Sequence, residues 1–283
     1  MTNPKYGVTF KKIREQKQIP LSRFKNVGIS KPSVSKFERG QSMMSFENVI
    51  RCLQEMDVTL EEFDHFLNNY ALSEKEMILE EAGYSVLKND EGKLKELYYR
   101  AKDLNLYLVS LSIKALFSSL NFIELEDIVD YFYEISIWSY TELCLFLFTM
   151  EQIEPKDVIY ILSPFLENKH TLITSKKYQD CFILVCCRAS RILSSGGYKT
   201  YSKFILERVE SLNLVEKMFF RNLVNMTRGY WQYCFEDEIK GDHMMLQGLN
   251  ILQMIGNPDE AVFYQERYKF VKKSKNNIDI GEK

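Results

Sequence analysis

The regular spacing of helix breaks over the C-terminal three quarters of the chain constrains the fold most strongly. From Ser73 onward, apolar residues recur at intervals of three and four, and no stretch has the alternation typical of a strand. Turn-forming residues divide this region into helix pairs. The pairs are expected to start near residues 73, 106, 139, 176 and 215, which are 33 to 39 residues apart. A final helix is expected from Pro258 to about Lys273.

This spacing is the period of tetratricopeptide-like helical repeats, whose stacked helix pairs form a solenoid. The strict consensus of that repeat is absent, so a compact bundle of orthogonal helices is the alternative. Helix-capping patterns support the predicted starts. They are Ser139 with Glu142, Asn213 with Glu216, and Asn257 with Pro258 and Glu260.

The stretch Ser30 to Gly40 predicts one short helix. Ser30 can cap its start, Pro32 falls in the first turn, and Gly40 can close the helix in the left-handed conformation. Val34 and Phe37 share one face that can enter a small core. Lysine, serine and arginine side chains remain on the outer surface, which fits a DNA major groove. An ordinary solvated helix is the alternative interpretation.

Four further helices are expected around this stretch. The first runs from about Tyr6 to Lys17, and Pro20 opens a short second helix that ends at Gly28. Ser45 caps a fourth helix, and a Thr59–Glu62 capping box opens a fifth, which should turn Leu60 and Phe63 inward. Five short helices with a tight glycine turn between the second and third make a helix-turn-helix domain. The prediction is therefore an all-α chain: a five-helix helix-turn-helix domain in residues 1–68, a helical-repeat solenoid in residues 69–273 and a polar tail in residues 274–283.

Charge is unevenly distributed between these regions. Residues 1–40 carry ten basic and two acidic side chains, a net +8, so the remaining 243 residues sum to −10. This asymmetry indicates an N-terminal domain that binds a polyanion and is joined to an acidic C-terminal domain.

Composition argues against several other classes of protein. The six cysteines lack the spacing of a zinc site, so buried thiols are expected, and the three histidines are widely separated. No nucleophile–base set or phosphate loop is recognisable, so neither an enzyme, a metal nor a cofactor is expected. The N-terminus has no apolar signal core and no apolar run is long enough for a membrane helix, so we expect a cytoplasmic protein with no membrane partner.

The sequence Ser-Val-Ser-Lys-Phe-Glu-Arg-Gly at 33–40, with Val-Thr-Leu-Glu-Glu-Phe at 58–63, resembles the DNA-binding domain of Rgg-like transcriptional regulators. These are cytoplasmic, peptide-responsive regulators of Gram-positive bacteria. The resemblance implies a homodimer that reads double-stranded operator DNA. Some members place a cysteine near Phe46 that links subunits, and phenylalanine stands here instead. The resemblance implies contacts to base edges by Lys31, Ser33 and Lys36, and to phosphates by Arg14, Ser22, Lys25 and Arg39.

The C-terminal third also resembles the Rgg pattern, in Gly229-Tyr230-Trp231, Gly241 and the run 252–261. A bound peptide backbone needs paired donors and acceptors, which asparagine supplies. Asn222 and Asn225 lie three apart on one helix, followed by Tyr230, and are therefore candidates for peptide binding, with helix caps or solvent exposure as the alternative for the asparagines. Arg188, in an apolar run, can meet either an internal carboxylate or that of a peptide terminus.

The sequence thus predicts a DNA-binding transcriptional regulator of the quorum-sensing type, controlled by a short peptide pheromone bound in the helical-repeat domain. The alternative is a helical-repeat protein-interaction scaffold with a basic helix-turn-helix domain.

Overall fold

The computed structural model describes residues 3–167, 175–211 and 217–281, with side chains as far as residue 270. Throughout these residues the chain is helical, and it divides into two compact units, Met1–Ser73 and Glu74–Lys283. The predicted breaks at 168–174 and 212–213, the start near 215 and the Asn213–Glu216 cap lie outside the described residues.

The N-terminal unit packs short helices around one small core. Its helices are α1 (Pro4–Gln16), a 3₁₀ helix (Leu21–Val27), α2 (Lys31–Glu38), α3 (Phe46–Glu55) and α4 (Leu60–Leu67). Phe10, Phe24 and Phe37 come from three different helices, and their rings meet at centroid distances of 5.5 and 5.7 Å. The Thr59–Glu62 capping box is present, but Leu60 is exposed because it lies on the outer face of α4, while Phe63 is buried.

The C-terminal unit is a series of five helix pairs followed by a single helix. The pairs are α5 (Glu74–Leu87) with α6 (Glu91–Asp103), α7 (Tyr107–Lys114) with α8 (Phe122–Glu134), α9 (Tyr140–Thr149) with α10 (Pro155–Glu167), α11 (Lys176–Ser195) with α12 (Lys199–Ser211), and α13 (Met218–Phe235) with α14 (Glu238–Ile255). The last helix, α15, spans Pro258–Gly281, eight residues beyond its expected end.

Helix starts follow the capping patterns of the sequence. The Ser139–Glu142 capping box opens α9, and the Asn257 side chain accepts a hydrogen bond from the Asp259 amide at 2.9 Å, at the start of α15. The first helices of successive pairs pack on one another, since α11 contacts both α9 and α13. Helix α15 contacts both α14 and α5, so the last helix of this unit closes against its first.

Glycine allows α13 and α14 to approach each other closely. A β-carbon on Gly241 would overlap with the backbone of Tyr233 and the carbonyl of Gly229, and one on Gly248 would overlap with the Met226 side chain. The glycines noted in the sequence pattern at 229 and 241 therefore serve helix packing, because only a residue without a side chain fits between the two backbones.

Candidate functional site

Helix α2 is defined at both ends by the residues that the sequence predicts. The Ser30 hydroxyl accepts a hydrogen bond from the Ser33 amide at 3.3 Å, which caps the helix start. Gly28, with φ of 80°, makes the turn before the helix, and Gly40, with φ of 68°, follows its end. Both glycines adopt the left-handed conformation that other residues disfavour. The 3₁₀ helix, the glycine turn and α2 together form the helix-turn-helix.

Most of the predicted DNA-contacting side chains lie at the surface of this motif. Val34 and Phe37 hold α2 against the core, which leaves its polar residues other than Glu38 at least partly exposed. Lys31, Lys36 and Arg39 are exposed, and Ser33 is half-buried. Ser22 and Lys25 are exposed on the 3₁₀ helix. These six residues are therefore available to a polyanion.

Arg14 does not fit the phosphate-contact role predicted for it. Its guanidinium donates to the Glu38 carboxylate through Nε at 2.5 Å and Nη2 at 2.9 Å, and to the Ile19 carbonyl at 2.9 Å. The two charged side chains are only 10% and 4% exposed. The hydrogen bond to Glu38 raises the pKa of Arg14 above its usual value, against the opposing effect of burial. Arg14 therefore ties α1 to α2 inside the unit.

A second residue of the α1–α2 interface, Gly7, is not among the residues that the sequence predicts to be important. Gly7 is buried where α1 crosses α2, and a β-carbon there would overlap with the Phe37 carbonyl oxygen. Gly7 thus allows close contact between α1 and the end of α2. An isolated glycine inside a helical pattern is the one trace that the sequence offers.

The C-terminal unit contains a cavity of about 850 Å³. The first helices of the pairs, α5, α9, α11 and α13, supply most of its wall, and α15 supplies most of the remainder, with Leu116 and Met245 completing it. Its apolar lining includes Leu79, Leu147, Leu184, Phe220, Leu223 and Phe263. This volume and an apolar wall with a few polar groups are typical of a ligand-binding cavity.

Three arginines line this cavity, and one carboxylate serves two of them. Arg191 and Arg267 both bind the Glu151 carboxylate, Arg267 at 3.2 Å. Arg188 donates from Nη1 to the Leu147 carbonyl at 2.5 Å. Within residues 3–167, 175–211 and 217–270, no carboxylate lies at ion-pair distance from Arg188. Among these residues, Arg188 therefore does not form the internal salt bridge that the sequence offered as one alternative.

The electrostatics of the cluster favour an additional anion. Burial, together with the neighbouring positive charge of Arg267, lowers the pKa of Arg188 to about 10, and the charge of Glu151 offsets only part of this lowering. Burial raises the pKa of Glu151, but the charges of Arg191, Arg188 and Arg267 together bring it below its usual value. A half-buried guanidinium among like charges is stabilised by a carboxylate that reaches it from the cavity.

Tyr230 also lines the cavity, as the sequence prediction requires of a ligand-binding residue. Its side chain is buried, and its hydroxyl is 2.7 Å from the Ser195 hydroxyl. Burial raises its pKa to about 12, so it is a neutral phenol at neutral pH.

Asn222 and Asn225 do not share a groove, and neither lines the cavity. The Asn222 amide is buried and donates to the Gly248 carbonyl at 2.9 Å, which ties α13 to α14. Asn225 is exposed. The two side chains point about 60° apart around the helix, and the edge of the contact with α14 falls between them, so that Asn222 is covered and Asn225 is left outside. The predicted asparagine pair is therefore wrong as a cavity site.

The cysteines and several aromatic residues differ in their burial. Cys52, Cys144, Cys181, Cys186 and Cys187 are buried free thiols, as expected, and Cys234 is half-buried. Phe132, Phe146 and Phe148 are core residues, but Phe122 is 78% exposed because it lies on the outer face of α8. No helix of the described residues is long and apolar enough to cross a membrane.

Comparison with known proteins agrees with the geometry of both units. Residues 86–266 match the model of the C-terminal domain of the HTH-type transcriptional regulator Rgg, and residues 10–63 match a helix-turn-helix model. Similar solved structures include Rgg2, an SHP pheromone receptor of Streptococcus dysgalactiae. Its TM-score is 0.76 at 21% identity, over 93% of this chain and 98% of that chain.

PrgX in complex with cCF10 is also similar, with a TM-score of 0.68 at 15% identity over 95% of this chain and 92% of that chain. A further bacterial peptide pheromone–receptor complex has a TM-score of 0.67 at 15% identity, over 95% and 98% of the two chains. At these identities the likeness shows the shared fold. The Rgg model covers more than half of the chain and agrees with the all-helical architecture, and the protein therefore belongs to the Rgg family of HTH-type transcriptional regulators.

Proposed function

We propose that this regulator binds operator DNA through α2 and is controlled by a short apolar peptide bound in the cavity of the C-terminal unit. It acts in the cytoplasm, where its operator is, in a quorum-sensing type of circuit. The single observation that carries the peptide assignment is Arg188, a guanidinium without a carboxylate partner among the described residues, in the wall of a cavity lined mainly by apolar side chains.

The cavity is chemically complementary to a peptide with apolar side chains and a free C-terminus. The aromatic and aliphatic wall suits apolar side chains, and Arg188 offers a charge-assisted hydrogen bond to the terminal carboxylate. Tyr230 adds a neutral hydroxyl that can donate to or accept from a peptide group.

The peptide assignment is tested by fluorescence anisotropy with a pool of labelled apolar heptapeptides, once with free and once with amidated C-termini. Peptides with a free C-terminus should bind. Arg188→Gln should weaken their affinity by about tenfold to a hundredfold, the range for a hydrogen bond to a charged group. Amidated peptides should bind weakly to both proteins. The control is Asn225→Ala, which lies outside the cavity and should change nothing. Equal affinity of the two peptide forms for the unaltered protein would contradict the role of Arg188.

The DNA assignment rests on the exposed side chains of the helix-turn-helix. Lys31→Ala combined with Lys36→Ala should weaken binding to an operator selected from genomic fragments. It should also reduce the salt dependence of binding, because each substitution removes one positive charge from the DNA interface. Lys95→Ala in the exposed Lys95–Glu91 ion pair of α6 is the matched control. An unchanged affinity and salt slope would remove α2 from the DNA interface.

We propose a homodimer, because one helix-turn-helix reads too few base pairs for selective binding. Helix α14 supports a second copy of this chain as the partner. Leu249 and Leu252 fill its buried face, whereas Met254 and Ile255 are 81% and 62% exposed and share a second face with Ile251. Peptide binding would then regulate transcription by favouring one arrangement of the two DNA-binding units over another.

A further inference from the structure

A pair of cysteines faces the cavity from two adjacent helices. Cys144 on α9 and Cys181 on α11 are 37 residues apart in sequence, and their sulfur atoms are 3.8 Å apart. Both side chains form part of the cavity wall, although only 3% and 5% of their surfaces are exposed. A molecule as small as hydrogen peroxide that enters the cavity can therefore reach them.

We propose that Cys144 and Cys181 form a reversible disulfide when a hydroperoxide enters the cavity. The sulfur atoms must approach from 3.8 Å to about 2.05 Å, the length of a disulfide bond. The reaction would bridge α9 and α11, two of the helices that line the cavity.

The surroundings of the pair favour Cys144 as the attacking thiolate. Lys177 lies 4.1 Å from the ring centre of Tyr140, one turn before Cys144 on α9. Hydrogen bonding from the Cys181 thiol lowers the pKa of Cys144 despite burial, with smaller contributions from the Tyr140 hydroxyl and the Lys177 charge. Burial instead raises the pKa of Cys186 and of Cys187 on α11. A thiolate beside a second cysteine is typical of oxidant-sensing pairs.

The chemistry balances with hydrogen peroxide as the oxidant. The Cys144 thiolate attacks one peroxide oxygen, the O–O bond breaks, and the released hydroxide takes a proton to become water. The resulting sulfenic acid is then attacked by the Cys181 sulfur. The S–S bond forms, and the sulfenic oxygen leaves as a second water with the proton of the Cys181 thiol. Two thiols are oxidised by two electrons, and the peroxide is reduced to two waters.

The test counts thiols in the full-length protein. Reduced protein is exposed to a small molar excess of hydrogen peroxide, denatured, labelled with N-ethylmaleimide and weighed by mass spectrometry. Of its six cysteines, four should take the label after oxidation, and dithiothreitol should restore six. Retention of six labels, or a loss that dithiothreitol does not reverse, would overturn the proposal.

Variants identify the pair. Cys144→Ser should keep all five remaining thiols, because the attacking thiolate is gone. Cys181→Ser should lose at most one label, that of Cys144 as a sulfenic acid, and should form no disulfide. Cys187→Ser is the matched control, since Cys187 lies on α11 and in the same cavity wall, and this variant should still lose two. Loss of two thiols in Cys144→Ser would assign the oxidation to other cysteines. Should a variant fold poorly, chymotryptic mapping of the unaltered protein under non-reducing conditions identifies the linked fragments directly.

A consequence for regulation rests on the proposed function: a bridge between α9 and α11 changes the shape of the peptide cavity. Oxidised and reduced protein should differ in affinity for the labelled apolar heptapeptides. Equal affinities would refute this regulatory consequence. The thiol count involves neither peptide nor DNA, so a failure of the disulfide is distinguishable from a failure of the proposed function.

Discussion

At the scale of single residues, the role of a charged side chain depends on its burial and on the partner that it contacts. Arg14 and Glu38 are the clearest pair: both are almost fully buried, and each satisfies the other's charge between α1 and α2. A buried ion pair adds little net stability over apolar residues, but the loss of one partner leaves an isolated charge. The same residue types on the surface, such as Glu47 with Arg51 on α3, contribute far less because water screens them.

We predict that Glu38→Ala destabilises the N-terminal unit by about 3 kcal/mol, since Arg14 would remain buried without its partner. In hydrogen exchange of the intact chain, amides of α1 and α2 should exchange about a hundredfold faster, and those of the C-terminal unit should not change. Glu47→Ala is the control and should alter exchange only slightly. Equal effects of the two substitutions would show that burial of the pair is unimportant.

Pairs of helices are held together by close backbone contact as well as by apolar side chains. In the α13–α14 pair, Gly241 lies against the backbone of Tyr233, and Gly248 lies against Met226. The Asn222 hydrogen bond to the Gly248 carbonyl closes the same contact. The two positions should therefore differ in how well they tolerate an added β-carbon, because a flexible methionine side chain can move aside and a helix backbone cannot.

We predict that Gly241→Ala lowers the free energy of unfolding by about 1–3 kcal/mol, the range for overpacking, and that Gly248→Ala lowers it less. Urea unfolding followed by tryptophan fluorescence suits this test, because Trp138 and Trp231 both belong to the C-terminal unit. Gly83→Ala in α5 is the control. Its β-carbon would meet nothing within 4 Å, so removal of a helical glycine should raise stability by about 0.5–1 kcal/mol. If Gly83→Ala lowered the free energy of unfolding as much as Gly241→Ala does, the packing explanation would be contradicted.

At the scale of the whole molecule, the protein combines a helix-turn-helix unit with a unit that contains a cavity, and the proposed dimer would make DNA recognition selective. The exposed apolar face at Ile251, Met254 and Ile255 is the surface that we assign to the second copy. Burial of such residues between two chains is favourable, at roughly 25 cal/mol for each Å² removed from water.

We predict that Met254→Lys combined with Ile255→Lys converts the dimer to a monomer in sedimentation velocity experiments and weakens operator binding. Two lysines at an apolar interface would be desolvated without partners. Phe122→Lys is the control, since Phe122 is equally exposed on α8 but is not part of the assigned surface. A dimer that survives the double substitution would place the interface elsewhere.

Local structure was largely predictable from the sequence because its signals lie within one or two helical turns. Ser30, Ser45 and Thr59 cap the helices that they were expected to start. The four helix pairs whose expected starts fall in the described residues begin within one residue of the positions set by breaks and periodicity. The reason is that capping and amphipathicity involve residues two to four apart.

Only the tertiary structure decided which of these side chains are available to a ligand. It buried Arg14 against Glu38, separated Asn222 from Asn225, left Arg188 without a carboxylate among the described residues and brought Cys144 to Cys181. Each outcome depends on a residue 24 or more positions away, on another helix. Periodicity indicates that a helix has a buried face, but the partner and its side chains are set by packing across the unit, and no local pattern specifies them.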